Sequence, residues 1–455
     1  MEISRFKVMD VGRFTELEIQ LAPTPQHPSN VTVLVGNNGA GKTTLLKSLA
    51  TSLSWLVARI RTEKGNGNHL AEEDIRNGTS VASILIAVMD TSQANPSNPE
   101  ADPEDALFRW GIARTRQGRK SSVQSELADA TRMADYYRGQ LTTDDKTSLP
   151  LIAYYPVERS VLEIPLKIRT KHSFDQLDGY DNALNRGVDF RRFFEWFRER
   201  EDSENETGVS DTALAEISLK FGKDSDIWKT LSRLKASSRD RQLTAVRSAI
   251  AAFMPGFSNL RVQRKPRLHM AIDKEGVTLN VSQLSQGEKS MMALVGDIAR
   301  RLAMMNQSLD NPLEGDGIVL IDEVDLHLHP KWQRSLIRQL SETFPNCQFV
   351  LTTHSPLVIS DAKDVLCYVL DDGELREHNG LYGLDANQVL LEVMDTDVRN
   401  SEVQKRLNQL VKHLQDGDLE NAKGLFVALA NELPEGHLEL AKAALLIRKL
   451  ELRRA

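Results

Sequence analysis

Cysteine is scarce in this chain: only Cys347 and Cys367 occur among its 455 residues. Two cysteines exclude a disulfide framework and a four-cysteine zinc site, and they suit the reducing cytoplasm, where we expect this protein. The chain also has no excess of positive charge, because its net charge is −7. Nucleic-acid binding would therefore depend on local basic patches rather than on a field around the whole molecule.

Long apolar runs are missing as well, and the first ten residues, MEISRFKVMD, lack the apolar segment of a signal peptide. One of the longest runs, Ile318–Ile321, is far too short to span a bilayer, so we expect no membrane partner. Hydrophobic residues make up 40% of the chain and charged residues 27%, which is ordinary for a globular protein with a sizeable core.

A strand, a glycine-rich loop and a helix follow one another near the N-terminus. Val31–Val35 is apolar and β-branched, and Thr43–Ile60 has leucines at helical spacing. The loop between them has the G-x-x-x-x-G-K-T spacing of a phosphate-binding P-loop. Its glycines let backbone N–H groups surround phosphates, and the helix N-terminus adds partial positive charge. The predicted ATP-binding residues are Asn37, Asn38, Gly39, Ala40, Gly41, Lys42, Thr43 and Thr44.

Two carboxylates follow the apolar run Ile318–Ile321. Alone, this pattern also fits a core strand that ends in a solvated acidic turn, but a P-loop in the same chain favours a catalytic interpretation. We predict that Asp322 and the Thr43 hydroxyl hold Mg²⁺ and that Lys42 reaches the β- and γ-phosphates. Glu323 is then the general base, or the residue that orients the attacking water.

The segment Leu284–Lys289, LSQGEK, precedes a predicted helix and resembles the signature motif of ABC-type ATPases. The resemblance implies that this motif caps the γ-phosphate of a nucleotide held by a partner subunit, and hence a homodimer across ATP. Ser285 and Glu288 also fit an N-cap and capping box, which is compatible with that role. The residues implied to contact the partner's nucleotide are Ser285, Gln286, Gly287 and Glu288.

Two further segments match the same family. Val324–Pro330 resembles its D-loop, and Thr352–Pro356 resembles its switch segment, in which His354 would contact the γ-phosphate or the water. The spacing of His327 and His329 favours structural roles over a metal pair. No convincing Q-loop glutamine is present; Arg159 is a candidate substitute. Arg13 fits either a phosphate contact or an exposed turn.

The motifs occur in family order, so the resemblance implies an α/β P-loop NTPase of ABC-ATPase type. We expect an antiparallel β subdomain, an inserted helical lobe and a helical C-terminal tail. The helical insertion is predicted to break near Glu201–Gly208, and Leu260–Ile272 is predicted to form one strand. The expected domains are an N-terminal ATPase lobe (1–185), the helical insertion (186–258), a C-terminal ATPase lobe (259–384) and a helical region for partner or oligomer contact (385–455).

The interval between Thr44 and Leu284 is too short for the long coiled-coil arm of an SMC protein. The acids after His354 do not form a Toprim pattern, so we predict an ATPase without its own nuclease site. The compact arrangement resembles the ATPase subunit of Septu-type and retron-associated anti-phage systems. That resemblance implies regulation of a partner HNH nuclease and a homo-oligomer larger than a dimer.

Two alternatives remain open: a RecF-like DNA-repair ATPase that acts as a nucleotide-gated DNA clamp, and a slow ATPase that serves as a scaffold. Direct DNA contact would use local basic clusters, although such clusters are also common on solvated surfaces. The candidates are Arg109, Arg114, Arg116, Arg119, Lys120, Arg261, Arg264, Lys265 and Arg267.

Overall fold

The computed structural model describes residues 1–93, 106–120, 123–157, 174–185, 187–207, 211–237, 239–394 and 399–454. The chain divides into two compact units, Met1–Leu384 and Asp385–Ala455. No helix within the described residues is both long enough and apolar enough to cross a membrane.

Among the described residues, all the strands lie in the first unit. They are β1 (Glu2–Val11), β2 (Phe14–Gln20), β3 (Val31–Gly36), β4 (Val81–Met89), β5 (Leu107–Thr115), β6 (Leu151–Tyr155), β7 (Phe257–Gln263), β8 (His269–Lys274), β9 (Val277–Asn280), β10 (Gly317–Ile321), β11 (Cys347–Thr353), β12 (Leu366–Asp371) and β13 (Glu374–Glu377). The helices of this unit are α1 (Lys42–Arg61), α2 (Ala128–Thr143), α3 (Phe190–Thr207), α4 (Asp211–Phe221), α5 (Asp226–Ser237), α6 (Arg241–Phe253), α7 (Gln286–Met305), α8 (Pro330–Thr343) and α9 (Pro356–Ser360).

A six-stranded sheet forms the centre of this unit, in the order β13-β12-β3-β11-β10-β6. Only β13 runs antiparallel to its neighbour; the other pairings are parallel. Strands β3, β6, β10 and β11 are buried along their whole length, which explains why they are almost continuously apolar. Their carboxyl ends lie along one edge of the sheet.

A second, antiparallel sheet has the order β2-β1-β4-β5. Strand β1 alternates buried Phe6 and Val8 with more exposed residues, as expected of a strand with one face on the core. The α/β fold with an antiparallel subdomain, a helical insertion (α3 to α6) and a helical C-terminal region is confirmed.

Two predicted elements were wrong in detail. The stretch Leu260–Ile272 contains parts of two strands, β7 and β8, and Pro266 lies between them, where it could not donate to a ladder. The predicted break at Glu201–Gly208 is absent through Thr207, because α3 continues there. Glu201 is buried and accepts from the Val262 N–H at 3.0 Å and from Arg247 at 3.1 Å, so the start of this acidic stretch is packed, whereas Ser203, Asn205 and Glu206 are exposed.

A buried ion group stabilises α7. The Asp297 carboxylate accepts from Arg300 and Arg301 at 2.7 Å each and from the Tyr155 hydroxyl at 3.0 Å. All three charged side chains are almost fully buried. Burial opposes the ionisation of Asp297, but the two guanidinium groups outweigh it and lower the pKa of this carboxyl. The group ties α7 to β6.

The second unit is helical and consists of α10 (Ala386–Glu392), α11 (Ser401–Gln415), α12 (Leu419–Glu432) and α13 (Leu438–Arg454). Apolar residues of α11, α12 and α13 form its core. They are Leu407, Leu410, Leu414, Leu419, Ala422, Leu429, Leu440, Ala443 and Ile447.

We predict that Asp297→Asn lowers the free energy of unfolding of the first unit by about 3–5 kcal/mol, because it leaves two buried guanidinium groups without a counter-charge. All five tryptophans lie in this unit, so urea denaturation followed by tryptophan fluorescence measures it selectively. Asp310→Asn is the matched control, since the Asp310 side chain is fully exposed and the change should cost less than about 0.5 kcal/mol. Equal stability of the two variants would contradict the role of the ion group.

Candidate active site

Three chain segments meet at the carboxyl edge of the central sheet. The loop after β3 begins at Gly36, the acidic pair follows β10, and His354 follows β11. The parallel register places Val35 beside Thr353 and Ile321 beside Leu351. Ligands of α/β proteins bind at this edge, so the topology itself brings the predicted residues together.

The loop at Gly36–Gly41 encloses its own lysine. The Lys42 Nζ donates to the carbonyl oxygens of Gly36 at 2.7 Å and Asn37 at 3.1 Å. Gly41 has a φ of 105°, and a Cβ there would lie 2.5 Å from the Phe14 ring, so only glycine fits. Helix α1 begins at Lys42 without a side-chain cap. Its first turn is therefore suited to bind an anion.

Arg13 lies at this loop, although the sequence left its role open. Its Nη1 donates to the Gly39 carbonyl at 2.6 Å, and its Nη2 lies 3.2 Å from Asp372 Oδ1. Arg13 therefore connects the β1–β2 turn, the P-loop and the Asp372 turn between β12 and β13. The Asp372 segment forms the turn between these two antiparallel strands.

The acidic pair is held by a threonine of the neighbouring strand. Asp322 is fully buried and accepts from the Thr352 hydroxyl. The same hydroxyl oxygen accepts from the Glu323 N–H at 2.7 Å. Glu323 has a φ of 45°, a left-handed conformation that is uncommon for residues other than glycine. Thr352 thus fixes the backbone that directs both carboxylates.

Glu323 and His354 are neighbours, with Oε1 and Nε2 separated by 4.0 Å, and each side chain is about one third exposed. Burial and the charge of Lys42 lower the pKa of His354, while the carboxylates of Glu323, Asp325 and Asp322 act in the opposite direction. Burial also lowers the pKa of Lys42 against the effect of those three carboxylates. Lys42, the acidic pair and His354 therefore share one electrostatic environment.

The loop at 325–328, after Glu323, is held by hydrogen bonds to the 353–355 segment and to Gln333 of α8. Asp325 accepts from the Thr353 hydroxyl and from the His354 N–H. Gln333 Nε2 donates to the Leu328 carbonyl at 3.0 Å, and Gln333 Oε1 accepts from Ser355 at 2.8 Å. This network links the 325–328 loop to the segment that carries His354.

His327 and His329, in the loop after Glu323, each contact the protein backbone. His329 caps α8 by accepting from the Lys331 N–H at 3.2 Å. The His327 carbonyl oxygen lies only 2.4 Å from where a Cβ on residue 287 would stand, which restricts that position to glycine. Over the described ranges, no group of three or more His, Cys, Asp or Glu residues is arranged to hold a metal ion.

The LSQGEK segment forms the start of α7, and its Gly287 packs against the His327 carbonyl of the loop after Glu323. Ser285 caps α7 by accepting from the Glu288 N–H at 3.3 Å, and Glu288 accepts from the Ser285 N–H at 2.8 Å. Lys274 lies 2.7 Å from the Glu288 carboxylate. Burial opposes the ionisation of Glu288, but these bonds outweigh it and lower its pKa. Ser285 and Gln286 remain exposed.

Sequence reasoning missed Thr352, Gln333 and Lys274, whose roles depend on partners distant in the chain. Only Thr352 had a usable signal, because it belongs to the Thr-Thr-His segment and parallel pairing would place it beside the acidic pair. Arg159, the candidate Q-loop substitute, lies outside the described residues.

Several members of the predicted basic clusters are already paired. Arg116 donates to the Thr79 and Ile75 carbonyls at 2.9 Å, and Arg261 lies 2.9 Å from Asp273. Arg264 pairs with Asp202. Exposed cations remain at Arg109, Arg114, Arg119, Lys120, Lys265 and Arg267.

Comparisons with known proteins place this chain in a family. A family model described as "AAA domain, putative AbiEii toxin, Type IV TA system" matches residues 31–360. The chain is 35% identical to the "Retron Ec83 probable ATPase" of Escherichia coli, over 82% of this chain and 73% of that protein. It is 31% identical to the "Retron Vc95 probable ATPase" of Vibrio cholerae serotype O1 biovar El Tor, over 91% and 84%.

A shorter similarity is to the "Septu protein PtuA" of Bacillus mycoides (strain KBAB4), which is 39% identical over 21% of this chain and 13% of that protein. The resemblance to retron- and Septu-associated ATPases is confirmed. The family match covers both the P-loop and the segment that carries Glu323 and His354. The chain therefore belongs to this AAA-domain family, and it is an ATPase.

Proposed function

We propose that two copies of this ATPase close around ATP and that the closed and open states control a partner HNH nuclease in anti-phage defence. The main support is that this chain carries two predicted phosphate-binding elements, one of them at an exposed helix N-terminus. Lys42, Glu323 and His354 share one sheet edge, whereas Ser285 and Gln286 are exposed at the end of α7. An exposed helix N-terminus is suited to an anion supplied by another molecule.

Within the site, this chain's residues have distinct roles in phosphoryl transfer. The P-loop amides and Lys42 bind the phosphates, which replace the Gly36 and Asn37 carbonyls as partners of the ammonium. Glu323 positions the attacking water and accepts its proton. His354 donates a hydrogen bond to the γ-phosphate, and Ser285 with the Gly287 amide of the second copy contacts the same group from the opposite side.

Magnesium, when bound, neutralises charge on the phosphate oxygens. The Thr43 hydroxyl, exposed in the first turn of α1, and the Asp322 carboxylate would hold it. Magnesium is usually bound through one or two carboxylates together with phosphates and water, rather than by a cage of protein ligands. The buried carboxylate of Asp322 at the sheet edge fits that requirement.

The proposed defence role rests on the relatives, which are retron ATPases and a Septu protein. The resemblance to Septu-type systems implies the HNH nuclease partner and an oligomer larger than a dimer. The RecF-like DNA clamp has less support, since Arg116, Arg261 and Arg264 are paired within the chain. Co-purification with an HNH protein encoded beside this chain tests the partner directly, and strong DNA binding by the ATPase alone would favour the clamp.

We predict that Glu323→Gln keeps ATP binding but slows hydrolysis by roughly 10²–10⁴-fold, the usual contribution of a general base. Lys42→Ala should abolish ATP binding, because the loop loses its cation. Fluorescent-nucleotide binding and phosphate release measure the two effects separately. Glu63→Gln, an exposed change beyond α1, is the control and should leave both unchanged. Hydrolysis at the unmodified rate by Glu323→Gln would refute the assignment.

If each nucleotide site combines residues from two copies, two variants that are inactive alone should complement each other when mixed. Lys42→Ala and Ser285→Arg should each be inactive alone, yet their mixture should hydrolyse ATP. The reason is that a mixed dimer contains one site with an intact P-loop from one chain and an intact Ser285 from the other. Ser282→Arg, an exposed neighbour, is the control and should stay active alone. A mixture as inactive as its components would contradict sharing of the site.

The electrostatic coupling predicts how His354 titrates. Without nucleotide, its pKa should lie below 6.5, so the imidazole is neutral at pH 7 and gains its proton only in more acidic solution. Lys42→Ala should raise this pKa, because a repelling charge is removed, and Glu323→Gln should lower it further. NMR of the imidazole signals, assigned with His354→Gln, measures these shifts. An identical midpoint in all three proteins would show that the groups do not interact.

A further inference from the structure

Helix α13 of the second unit has two opposite apolar faces. One face is covered, because Leu440, Ala443 and Ile447 belong to the core formed with α11 and α12. Their spacing of three and four residues is that of an ordinary packed helix face. A helix that had only this role would be polar on its other side.

The other side of α13 is instead lined by leucines. Leu438, Leu445 and Leu452 are 63%, 70% and 74% exposed, far more than leucine usually is in a folded protein. They are spaced by seven residues, which is nearly two helical turns, so they form one stripe along the helix. This spacing is the one with which helices pair side by side. We call these three residues the outer stripe.

Positive charge borders the outer stripe. Lys442 and Lys449 lie on one flank, since each follows a stripe leucine by four residues, and Arg448 lies on the other. The acidic residues of α13 already have partners within the same unit: Glu451 pairs with Lys423, and Glu439 pairs with Arg399 at 3.7 Å as well as with Lys442 at 3.4 Å. In the part of the chain that the structure describes, Arg448 and Lys449 have no ion pair.

A second α13 is a poor occupant of this face. In an antiparallel pair, the flank with Lys442 and Lys449 would meet the same flank of the other copy, and like charges would repel. In a parallel pair, Lys449 would face Ala444, which offers no opposite charge. The charge pattern instead complements a helix whose stripe is bordered by aspartate and glutamate.

We propose that the outer stripe of α13 docks an amphipathic helix of a partner protein, with apolar residues at heptad spacing and acidic flanks. The leucines supply the buried contact, and Lys442, Lys449 and Arg448 select the acidic flanks and fix the register. The site is made entirely by the second unit and does not depend on the nucleotide-binding residues.

The test uses the full-length chain and a synthetic three-heptad peptide with leucine at the a and d positions and glutamate at the e and g positions. A matched peptide carries lysine in place of glutamate. Fluorescence anisotropy should show that the acidic peptide binds at least about tenfold more tightly than the basic one. No binding of the acidic peptide, or equal binding of both peptides, would overturn the proposal.

Variants then locate the binding. Replacing the three stripe leucines by glutamine should abolish acidic-peptide binding, and K442E with K449E should transfer the preference to the basic peptide. Leu391→Gln, an exposed leucine on α10, is the control and should leave binding unchanged. Peptide binding that survives loss of the stripe would reject α13 as the site. The ATPase rate should be the same in all these variants, so failure here is distinguishable from failure at the nucleotide site.

Two other possible occupants of the outer stripe can be detected by separate measurements. Light scattering of the stripe variant detects a second copy, because loss of an oligomer with loss of the leucines would assign the face to self-association. Flotation with phosphatidylserine vesicles detects an anionic lipid surface, to which a basic amphipathic helix can also bind. If either result is obtained and the acidic peptide does not bind, that occupant is favoured over a partner helix. The proposal expects unchanged oligomeric state and no flotation.

Discussion

Parallel hydrogen bonding between β3, β11 and β10 determines where the chemistry of this ATPase is located. The ladder places the P-loop, the acidic pair and the His354 segment at adjacent strand ends. Side chains alternate along a strand, so a slip of one residue would turn Thr352 away from Asp322 and leave Glu323 without the hydroxyl that holds its N–H. The contacts of Thr352 with Asp322 and Glu323 therefore depend on the register of the central sheet.

Much of this arrangement could be predicted from the sequence, because the P-loop strand and the acidic strand are marked by short local patterns. Thr352 and Gln333 were not predicted, since their importance comes from neighbours that only the folded sheet provides. The misread segment at Glu201–Gly208 has the same cause. Glu201 was predicted to lie in a break between helices, yet its carboxylate accepts hydrogen bonds from the Val262 N–H and from Arg247, which lie in distant parts of the chain. Arg159 stays a prediction.

Charge is used in two different ways within the first unit. Around Asp297 the charges are fully buried and matched by hydrogen bonds, so that the group holds two elements together. At the sheet edge, Lys42 and three carboxylates lie close to partly exposed His354, and their effects on its pKa oppose one another. The pKa of His354 will therefore change when another charge binds nearby, whereas the buried ion group around Asp297 is closed to such a charge.

Helix α7 connects these two regions. It begins at the Ser285 cap and contains Asp297, which receives the Tyr155 hydroxyl, while the Tyr155 carbonyl accepts the Asp322 N–H at 2.9 Å. A single tyrosine therefore joins the middle of the helix to the acidic strand end. The exposed serine and the acidic strand end are therefore joined by one continuous helix and two hydrogen bonds, without an intervening loop.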